Sequence, residues 1–195
     1  SYYFGNELLV APVIKPTEAG KTTSRDVFLP AGNDWIDFWT HQRSAGGDVI
    51  TWTESRQDRF PLFIREGGIL PMLLNVPETL CDANYINNPA INAADNGLQF
   101  LVYPRDSSRF TVHDGTLLTC QVNGSTKDLA LTSPARSISI RIFGPKPASV
   151  TRDGSALTEH PTKAAFDAAP TGWHHELSFT SLKFPHPGGS TVIRL

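Results

Sequence analysis

The sequence predicts an all-β fold of two β-sandwich domains, and three observations lead to that prediction. Fifteen glycines and fifteen prolines are spread along the 195 residues and divide the chain into segments too short for most helices. Many of these segments are rich in β-branched and aromatic residues, and turn residues separate them at the spacing of a β-sandwich. Residues 75–96 are rich in Asn, Ala and Pro without periodicity, which predicts a linker between two domains.

The composition argues against two classes of partner. Charged residues make up 18% of the chain, below the ~25% of ordinary soluble domains, and the net charge is only -2. The chain therefore lacks the concentrated positive charge that holds nucleic acid, and no nucleic-acid partner is predicted. No apolar run approaches the ~20 residues that a membrane-spanning helix needs, so no membrane partner is predicted either.

The first strand signal is a continuous apolar run at residues 8–13, which does not alternate with polar residues. Such a run is typical of a strand buried on both faces, as in a parallel α/β sheet. It predicts the last strand of a structure whose other strands lie outside this sequence. Because a strand begins almost at Ser1, with no leader before it, we expect the chain to be part of a larger protein. A polar linker is predicted at residues 15–23, which contain Pro16 and Gly20.

Three short strands with turns between them are predicted next, at residues 25–29, 35–39 and 49–53. In the second strand Trp35 and Trp39 lie on one face, and Ile36 and Phe38 lie on the other. Because both faces are bulky and aromatic, we expect this strand in the middle of a sandwich or against another domain. A pair of exposed tryptophans can also stack on a sugar ring, which leaves open an alternative function as a stand-alone carbohydrate-binding module. A β-sandwich interaction domain is a further alternative.

Residues 60–72 form the stretch around which we expect the first domain to be organised. Residues 62–64 are an apolar strand, Gly67 and Gly68 form a turn, and residues 69–70 return to the core. Pro71 then ends the pairing because it has no amide donor. The pattern predicts a strand-turn-strand staple, with no residue placed for catalysis.

The second half of the chain has the strand spacing of another sandwich. The predicted strands lie at residues 98–103, 109–113, 117–122, 128–131, 137–143, 148–151, 173–179 and 191–195. Isoleucines at 138, 140 and 142 alternate with Ser139 and Arg141, the period-two pattern of a sheet with one face in water. Residues 158–172 have room for one helical turn, limited by Pro161 and Pro170.

Nine acidic residues are candidates for a pair of catalytic carboxyl groups, which needs a site that excludes water and raises one pKa. Most of them fall at turns and strand ends, where carboxylates stay solvated, so no independent active site is predicted. The nine are Asp26, Asp34, Asp37, Asp48, Glu54, Asp58, Glu66, Asp114 and Glu176.

The run from His174 through His175 to Glu176 has the composition of a metal site but not its geometry. Neighbouring residues of a strand point to opposite faces, so the two imidazoles cannot readily bind one ion. His175 shares a face with Trp173, Leu177 and Phe179, and we expect it to be packed or to lie at an interface. No metal site is predicted.

Two further features carry open alternatives. Cys81 and Cys120 are far apart and lack C-x-x-C spacing, so they form either one disulfide or two buried thiols, and no zinc site is expected. Asn123, followed by Gly124 and Ser125, is a candidate glycosylation acceptor. The same Asn-Gly pair also predicts a hairpin turn, which is the favoured interpretation.

Three blocks in the same order resemble glycoside hydrolase family 31, whose members include α-glucosidases and α-xylosidases. Residues 4–13, FGNELLVAPV, resemble the family's last barrel strand, FGxxLLVAPV. VFLPAG at residues 27–32 and WIDFWT at residues 35–40 resemble its YLPxGxWYDFW pattern. RFPLFIREGGILP at residues 59–71 is similar to its IPxFxRxGxILP pattern. The match is weaker further on, at LVYP (101–104) and FTVHDG (110–115), where the family's run of acids is reduced to one aspartate.

The resemblance implies a layout in four parts. Residues 1–15 would end a catalytic (β/α)8 barrel, and residues 16–80 would form a proximal C-terminal β-sandwich. Residues 81–97 would be a linker, and residues 98–195 would form a distal C-terminal β-sandwich.

The resemblance also implies where the chemistry lies. Family 31 enzymes are similar to other retaining glycosidases, which use a carboxylate nucleophile and a carboxyl acid/base about 5–5.5 Å apart. Both aspartates lie upstream of the part matched here, so no catalytic residue is assigned to this chain. The implied partner is the missing N-terminal catalytic barrel portion, which binds the carbohydrate substrate, and no cofactor is implied. The sugar, the linkage, and hydrolysis versus transfer stay open; a secreted or lumenal location is favoured.

Overall fold

The structure is a computed structural model that describes residues 1–13, 21–56, 58–74 and 97–195. Nearly all of its regular structure is strand, and the helix α1 (Lys163–Ala168) has six residues. None of the helices in these ranges is long and apolar enough to cross a membrane. The prediction of an all-β fold is confirmed.

Two compact units divide the chain, Ser1–Gly68 and Ile69–Leu195. The first unit contains a sheet with the order β1-β2-β7-β4-β5 and a two-stranded ribbon of β3 and β6, both antiparallel. Its strands are β1 (Tyr2–Phe4), β2 (Leu8–Val10), β3 (Thr23–Phe28), β4 (Trp35–Asp37), β5 (Arg43–Ser44), β6 (Val49–Glu54) and β7 (Leu62–Arg65).

The core of the first unit is built from both of its sheets. Leu9, Trp35 and Phe63 come from the larger sheet, while Val27 and Trp52 come from the ribbon. All five side chains are buried, and together they join the two sheets through one apolar cluster. The sequence pattern of short apolar strands therefore produces a real core in this unit.

The pairing of Leu8–Val10 corrects the expectation of a parallel barrel strand. β2 pairs antiparallel with β1 on one edge and with β7 on the other, placing Leu9 opposite Tyr3 and Phe63. Leu8–Val10 is buried, as predicted. The direction of pairing was wrong because any strand covered on both faces has a continuous apolar run, whether its neighbours are parallel or antiparallel.

The predicted staple around Gly67 and Gly68 is also corrected. β7 pairs with β2 and β4 in the first unit, whereas β8 (Ile69–Leu73) pairs with β9 (Gly97–Val102) in the second. The two strands belong to different sheets, and the units divide after Gly68. The sequence placed the division at residues 81–97, which lie outside the described residues except for the last. Pro71 lies within β8, which tolerates it because β8 is an edge strand.

Glycine is required at the division because the chain passes close to other atoms there. Gly67 has a φ of 83°, in the left-handed region that favours glycine. A Cβ on Gly68 would lie 2.7 Å from the carbonyl oxygen of Arg65 and 2.9 Å from Oε2 of Glu7. The Gly-Gly pair therefore permits the turn that separates the two sheets.

The second unit is a two-sheet sandwich. One sheet has the order β16-β17-β13-β9-β8 and the other the order β10-β11-β12-β18-β14-β15. Among the described strand pairs of this unit β9–β13 is the parallel one, and the isolated bridge between Glu159 and Trp173 is also parallel. The remaining strands are β10 (Ser107–Thr111), β11 (Leu117–Asn123), β12 (Thr126–Ser133), β13 (Arg136–Phe143), β14 (Thr151–Arg152), β15 (Ser155–Ala156), β16 (Gly172–Glu176), β17 (Phe179–His186) and β18 (Gly189–Arg194).

One apolar core lies between these sheets. Phe100 and Ile140 come from the first sheet, and Leu118, Leu129 and Ile193 come from the second. All five are completely buried. The β-sandwich prediction for this half of the chain is confirmed.

The alternation along β13 is confirmed for its core face only. Ile138, Ile140 and Ile142 are buried in the core as predicted. On the opposite face Ser139 is also buried, and the guanidinium of Arg141 lies 4.7 Å from the centre of the Phe179 ring. That face is therefore only partly exposed to solvent. The alternation of residue types shows which side chains are polar, but it does not show how exposed they are.

A turn and most of the strand that follows it were missed, because Leu177 is not a usual turn residue and β17 continues to His186. The predicted strand at 173–179 is two strands, β16 and β17, joined by Leu177 and Ser178. Leu177 takes a φ of 56° and is 92% exposed, so it does not share the packed face with His175 as expected. The predicted helical turn is confirmed as α1, whose N-cap Thr162 accepts a 3.2 Å hydrogen bond from the amide of Ala165.

Replacement of Phe100 tests the core of the second unit. Phe100→Ala removes a fully buried ring from β9 and leaves a cavity, so we expect the free energy of unfolding to fall by about 3–5 kcal/mol. Urea denaturation followed by circular dichroism measures the loss. Val192→Ala, on the exposed face of β18, is the control and should change stability by less than about 0.5 kcal/mol. Equal effects from both variants would contradict this description of the core.

Candidate functional site

The structure brings two of the nine candidate acids together on one cation. Nη2 of Arg43 lies 2.6 Å from Oδ2 of Asp34 and 2.9 Å from Oε2 of Glu66. The Arg43 side chain is 58% exposed, and its single positive charge is shared between the two carboxylates. A glycosidase pair instead needs a water-excluding floor and one carboxyl group that stays protonated. This cluster has the features of a surface ion-pair network.

Asp37 is buried, and both of its carboxylate oxygens accept hydrogen bonds from the protein. Its Oδ1 accepts hydrogen bonds from the amides of Trp39 and Thr40, at 2.8 and 2.7 Å. Its Oδ2 accepts a 3.0 Å hydrogen bond from Nε1 of Trp52. The carboxylate thus fixes the turn after β4 and joins it to β6. An aspartate within the aromatic run at residues 35–39 was a signal that this acid is enclosed.

A second buried acid, Glu7, was not singled out from the sequence. Nη2 of Arg65 donates to both Oε1 and Oε2 of Glu7 at 3.0 Å, and the Arg65 amide donates to the Glu7 carbonyl at 2.9 Å. The pair ties the end of β7 to the turn between β1 and β2. Sequence reasoning missed it because the partners are 58 residues apart.

Three of the remaining acids have a pKa that lies below its usual value. The backbone amide of Arg56 lowers the pKa of Glu54, and the Arg56 side chain lowers the pKa of Asp58. For Asp114, burial acts to raise the pKa, but hydrogen bonds from Thr116 and the contact with Arg136 outweigh it and lower the pKa. A general acid needs a raised pKa, so these shifts have the opposite sign.

The other three candidate acids lie on exposed positions. Asp26 accepts a 2.7 Å hydrogen bond from Oγ1 of Thr51 across the ribbon. Asp48 is exposed, and Oε2 of Glu176 lies 3.9 Å from Nε2 of His174. None of these arrangements encloses two carboxyl groups, so the described part of the chain has no geometry for glycosidic cleavage.

The two histidines point to different partners, as the strand geometry predicted. Nδ1 of His174 lies 2.8 Å from the carbonyl oxygen of His160, and its ring stacks on Phe166 of α1. Nδ1 of His175 lies 3.0 Å from Oγ1 of Thr180, and burial lowers the pKa of His175. Over the described ranges, no group of three or more His, Cys, Asp or Glu side chains is placed to hold a metal ion.

Trp35 and Trp39 do not form an exposed platform for a sugar. Trp35 is 1% exposed, and its Nε1 donates to the carbonyl of Pro30 at 2.9 Å. Trp39 follows the end of β4, where its Nε1 donates to the carbonyl of Phe60 and the Arg59 guanidinium lies 5.2 Å from its ring centre. The condition on which the carbohydrate-binding alternative depended is not met.

Cys120 and Asn123 lie close together on β11. Cys120 has no disulfide partner among the described residues, and burial raises the pKa of its thiol to about 11. Cys81 lies outside the described residues, so both alternatives, one disulfide or two buried thiols, stay open. Asn123 is exposed opposite Thr126, and Gly124 and Ser125 form the two-residue turn of the β11–β12 hairpin. The hairpin is confirmed, but its turn is Gly124-Ser125 and not the predicted Asn123-Gly124, and glycosylation stays a prediction.

Two cavities in the second unit also lack a pair of acids. One, of about 350 Å³, is lined by Lys127, Lys146 and Arg194 together with small polar residues and prolines. The other, of about 250 Å³, has Asp114 as its acid, beside His113 and Arg136. Neither cavity supplies the two carboxyl groups of a glycosidase.

The remaining candidate is a surface, the strand β1. Its three aromatic side chains, Tyr2, Tyr3 and Phe4, are 53%, 54% and 67% exposed. β1 is the terminal strand of its sheet, so its outer edge has no neighbour within the described residues. The Tyr3 ring lies 5.9 Å from the ring of Trp35, which anchors this aromatic edge to the core. Exposed apolar patches of this kind mark interaction surfaces.

Comparisons with known proteins show which proteins this chain is similar to. The profile of the "Glycosyl hydrolase family 31 C-terminal domain" matches residues 1–70. An isomaltosyltransferase of Sporosarcina globispora is 34% identical over 93% of this chain, and a 1,6-alpha-glucosyltransferase of the same organism is 27% identical over 89%. A solved structure of the cycloalternan-forming enzyme from Listeria monocytogenes, in complex with a pentasaccharide substrate, matches 98% of this chain with 26% identity and a TM-score of 0.79.

These relatives are much longer than this chain. The match spans 17% of the isomaltosyltransferase, 14% of the glucosyltransferase and 18% of the solved chain. Most of each relative therefore lies outside the part that is similar to this chain.

Replacement of Asp37 tests its structural role. Asp37→Ala leaves two amides and the Trp52 indole without their acceptor, so we expect the free energy of unfolding to fall by roughly 3 kcal/mol. Urea denaturation followed by tryptophan fluorescence measures the effect. The control is Asp48→Ala at an exposed position, for which the change should stay below about 0.5 kcal/mol. A loss of unfolding free energy no larger than that of the control would contradict this structural role of Asp37.

Alkylation tests the state of Cys120. At pH 8, the fraction of thiolate in a thiol with a pKa of about 11 is roughly a hundredth of that in an ordinary cysteine. Only the thiolate reacts. We expect iodoacetamide to label Cys120 about 100-fold more slowly in the native chain than in guanidinium, as measured by peptide mass spectrometry. A disulfide with Cys81 would give a different result, because labelling in guanidinium would then require a reductant.

Proposed function

The chain corresponds to the C-terminal portion of a glycoside hydrolase family 31 enzyme, and from this premise we propose that it is the non-catalytic part of an α-glycosidase. In this proposal the whole enzyme acts on terminal α-linked glycosyl units with retention of configuration. The two units described here buttress the catalytic barrel portion, which binds the carbohydrate. The chain alone performs no chemistry.

One observation carries the proposal: the chain aligns almost completely with much longer glycosyl-transferring enzymes, but its described residues offer no enclosed pair of carboxyl groups. It spans 17% of the isomaltosyltransferase, so most of the residues available for catalysis lie elsewhere in such an enzyme. The buried carboxylates, Glu7 and Asp37, are fully engaged by Arg65 and by the donors around Asp37. Their role in the proposal is to hold the first unit rigid against its partner.

Retention requires two carboxyl groups in the missing portion. One attacks the anomeric carbon and forms a covalent glycosyl-enzyme, while the other protonates the departing oxygen. The second group then acts as base for the incoming acceptor, so that two inversions restore the original configuration. The two groups must lie ~5–5.5 Å apart, a spacing set by the catalytic barrel and stabilised from outside by this chain.

Transfer to a sugar acceptor is favoured over hydrolysis by the extent of the matches. The family profile covers residues 1–70, whereas the two transferases match 93% and 89% of the chain. In sequence, these two matches extend beyond residue 70, whereas those to an alpha-xylosidase and a neutral alpha-glucosidase C cover 37% and 38% of the chain. In structure, a family 31 dextranase also matches 97% of the chain, at 22% identity. We place the enzyme in the subgroup of the transferases, with an α-glucan oligosaccharide as donor and a sugar hydroxyl as acceptor.

Activity measurements on three proteins test the proposal. The isolated chain should give no turnover of an aryl α-glucoside, because it lacks the carboxyl pair. The longer enzyme that contains it should convert maltooligosaccharides mainly into transfer products with retained anomeric configuration. Chromatography identifies the products, and proton NMR measures their anomeric configuration. The same enzyme without this chain should lose at least about 90% of its soluble activity.

Three outcomes would contradict the proposal. Turnover by the isolated chain would assign catalysis to its own residues. An inverted product would exclude the double-displacement mechanism, and free glucose as the main product would exclude transfer.

A further inference from the structure

The edges of the sheets differ in how they are protected against pairing with another strand. A terminal strand exposes one row of backbone N–H and C=O groups, and proteins guard such rows with charges, prolines or short strands. Among the described edges, β5 and β15 have two residues each, and β8 contains Pro71. The β10 edge carries Arg109, and β16 carries two histidines and Glu176.

The aromatic edge, residues Tyr2–Phe4, shares only the short length with these edges, at three residues. It contains no charge and no proline, and all three of its side chains are aromatic residues that favour strands. Its inner side is paired with β2, Tyr3 lying opposite Leu9, while its outer side has no strand neighbour in the described part of the chain. More than half of each side chain is exposed. An edge of this composition is the type that another strand joins.

The aromatic edge is also held in place from behind, which prepares it for a partner. β2 is fixed between β1 and β7, and the turn between β1 and β2 carries Glu7, which Arg65 holds through both carboxylate oxygens. Tyr3 packs near the buried Trp35. A rigid edge loses little conformational entropy when a second strand binds, which favours pairing.

We propose that a strand of the catalytic portion pairs with β1 in the whole enzyme and extends the five-stranded sheet to six. This inference rests on the proposed function and names the surface through which the chain supports the barrel. The partner is an extended apolar segment, uncharged at its centre, whose backbone completes the ladder and whose side chains cover Tyr2 and Phe4. The surface is thereby removed from water.

The length of β1 selects this partner over a second copy of the chain. Three residues offer only a few ladder hydrogen bonds, and each has a modest net value. So few bonds do not offset the loss of free motion when two separate molecules associate. A partner held nearby by the rest of the same enzyme has a high effective concentration and avoids that cost. The relatives, of which the match spans 17% and 14%, have ample chain to supply it.

Hydrogen–deuterium exchange tests the pairing directly. The outward amides of Tyr2–Phe4 should exchange at least 10-fold more slowly in the whole enzyme than in the isolated 195-residue chain. Equal exchange in both proteins would overturn the proposal. Exchange is followed by mass spectrometry on peptides that cover residues 1–6.

A charged substitution with a matched control separates pairing from general destabilisation. Phe4→Lys places a charge on the exposed aromatic edge, and in the whole enzyme it should restore at least 10-fold faster exchange of the neighbouring β1 amides. Phe28→Lys is the control, because Phe28 is a 53% exposed aromatic residue on β3, and it should leave β1 protected. Near-UV circular dichroism of the isolated variants verifies that each still folds. Equal β1 exchange in the two variants would contradict the assignment of this edge.

Two further measurements distinguish the proposed partner from a second copy of the chain, and the pairing from the proposed function. Protection that rises with enzyme concentration, together with dimers in sedimentation velocity, would assign the edge to a second copy and overturn our choice of partner. Transfer activity is measured on the same samples. Full activity with an unprotected β1 would reject the pairing and leave the proposed function standing, whereas absence of glycosyl transfer or hydrolysis would reject the proposed function itself.

Discussion

The backbone of a β-strand must find hydrogen-bond partners on both sides, and this requirement connects the features of the first unit. β2 meets it within the chain, through β1 and β7, and is therefore an interior strand. Within the described residues β1 meets it on one side only, and its aromatic residues are more than half exposed. An outer edge without a partner therefore belongs to β1 and not to the apolar run at Leu8–Val10. The docking role proposed for β1 rests on this edge.

Electrostatics explain why the acids of this chain are structural. Asp37 and Glu7 are buried, and each has donors arranged around both of its oxygens. A carboxylate with such partners is held in place as a hydrogen-bond acceptor, whereas a glycosidase needs one carboxyl group whose environment keeps the proton. Exposed acids such as Asp58 are paired with cations in water. The same residue type therefore stabilises the scaffold here and would catalyse the reaction only in a differently built pocket.

Particular residues mark the limit of prediction from the sequence. The alternation of Ile138, Ile140 and Ile142 predicted their burial correctly, since the pattern depends only on the two-residue period of a strand. The turn at Leu177 was missed because a leucine at positive φ is stabilised by the hairpin around it and not by its own preference. The Glu7–Arg65 pair was missed because its partners are distant along the chain. The burial of Trp35 agrees with the expectation drawn from the bulky residues on both faces of its strand.

The sequence by itself determined the all-β class, most of the strands and the resemblance to family 31, because periodicity, turn residues and short motifs are local properties. The resemblance also implied that the family's two catalytic aspartates lie upstream of this part, which stays a prediction. Only the tertiary structure decided which strands pair, where the units divide and which acids are enclosed. Those outcomes depend on contacts between distant segments, such as β2 with β7 and β8 with β9, and a strand's own residues do not specify its neighbour.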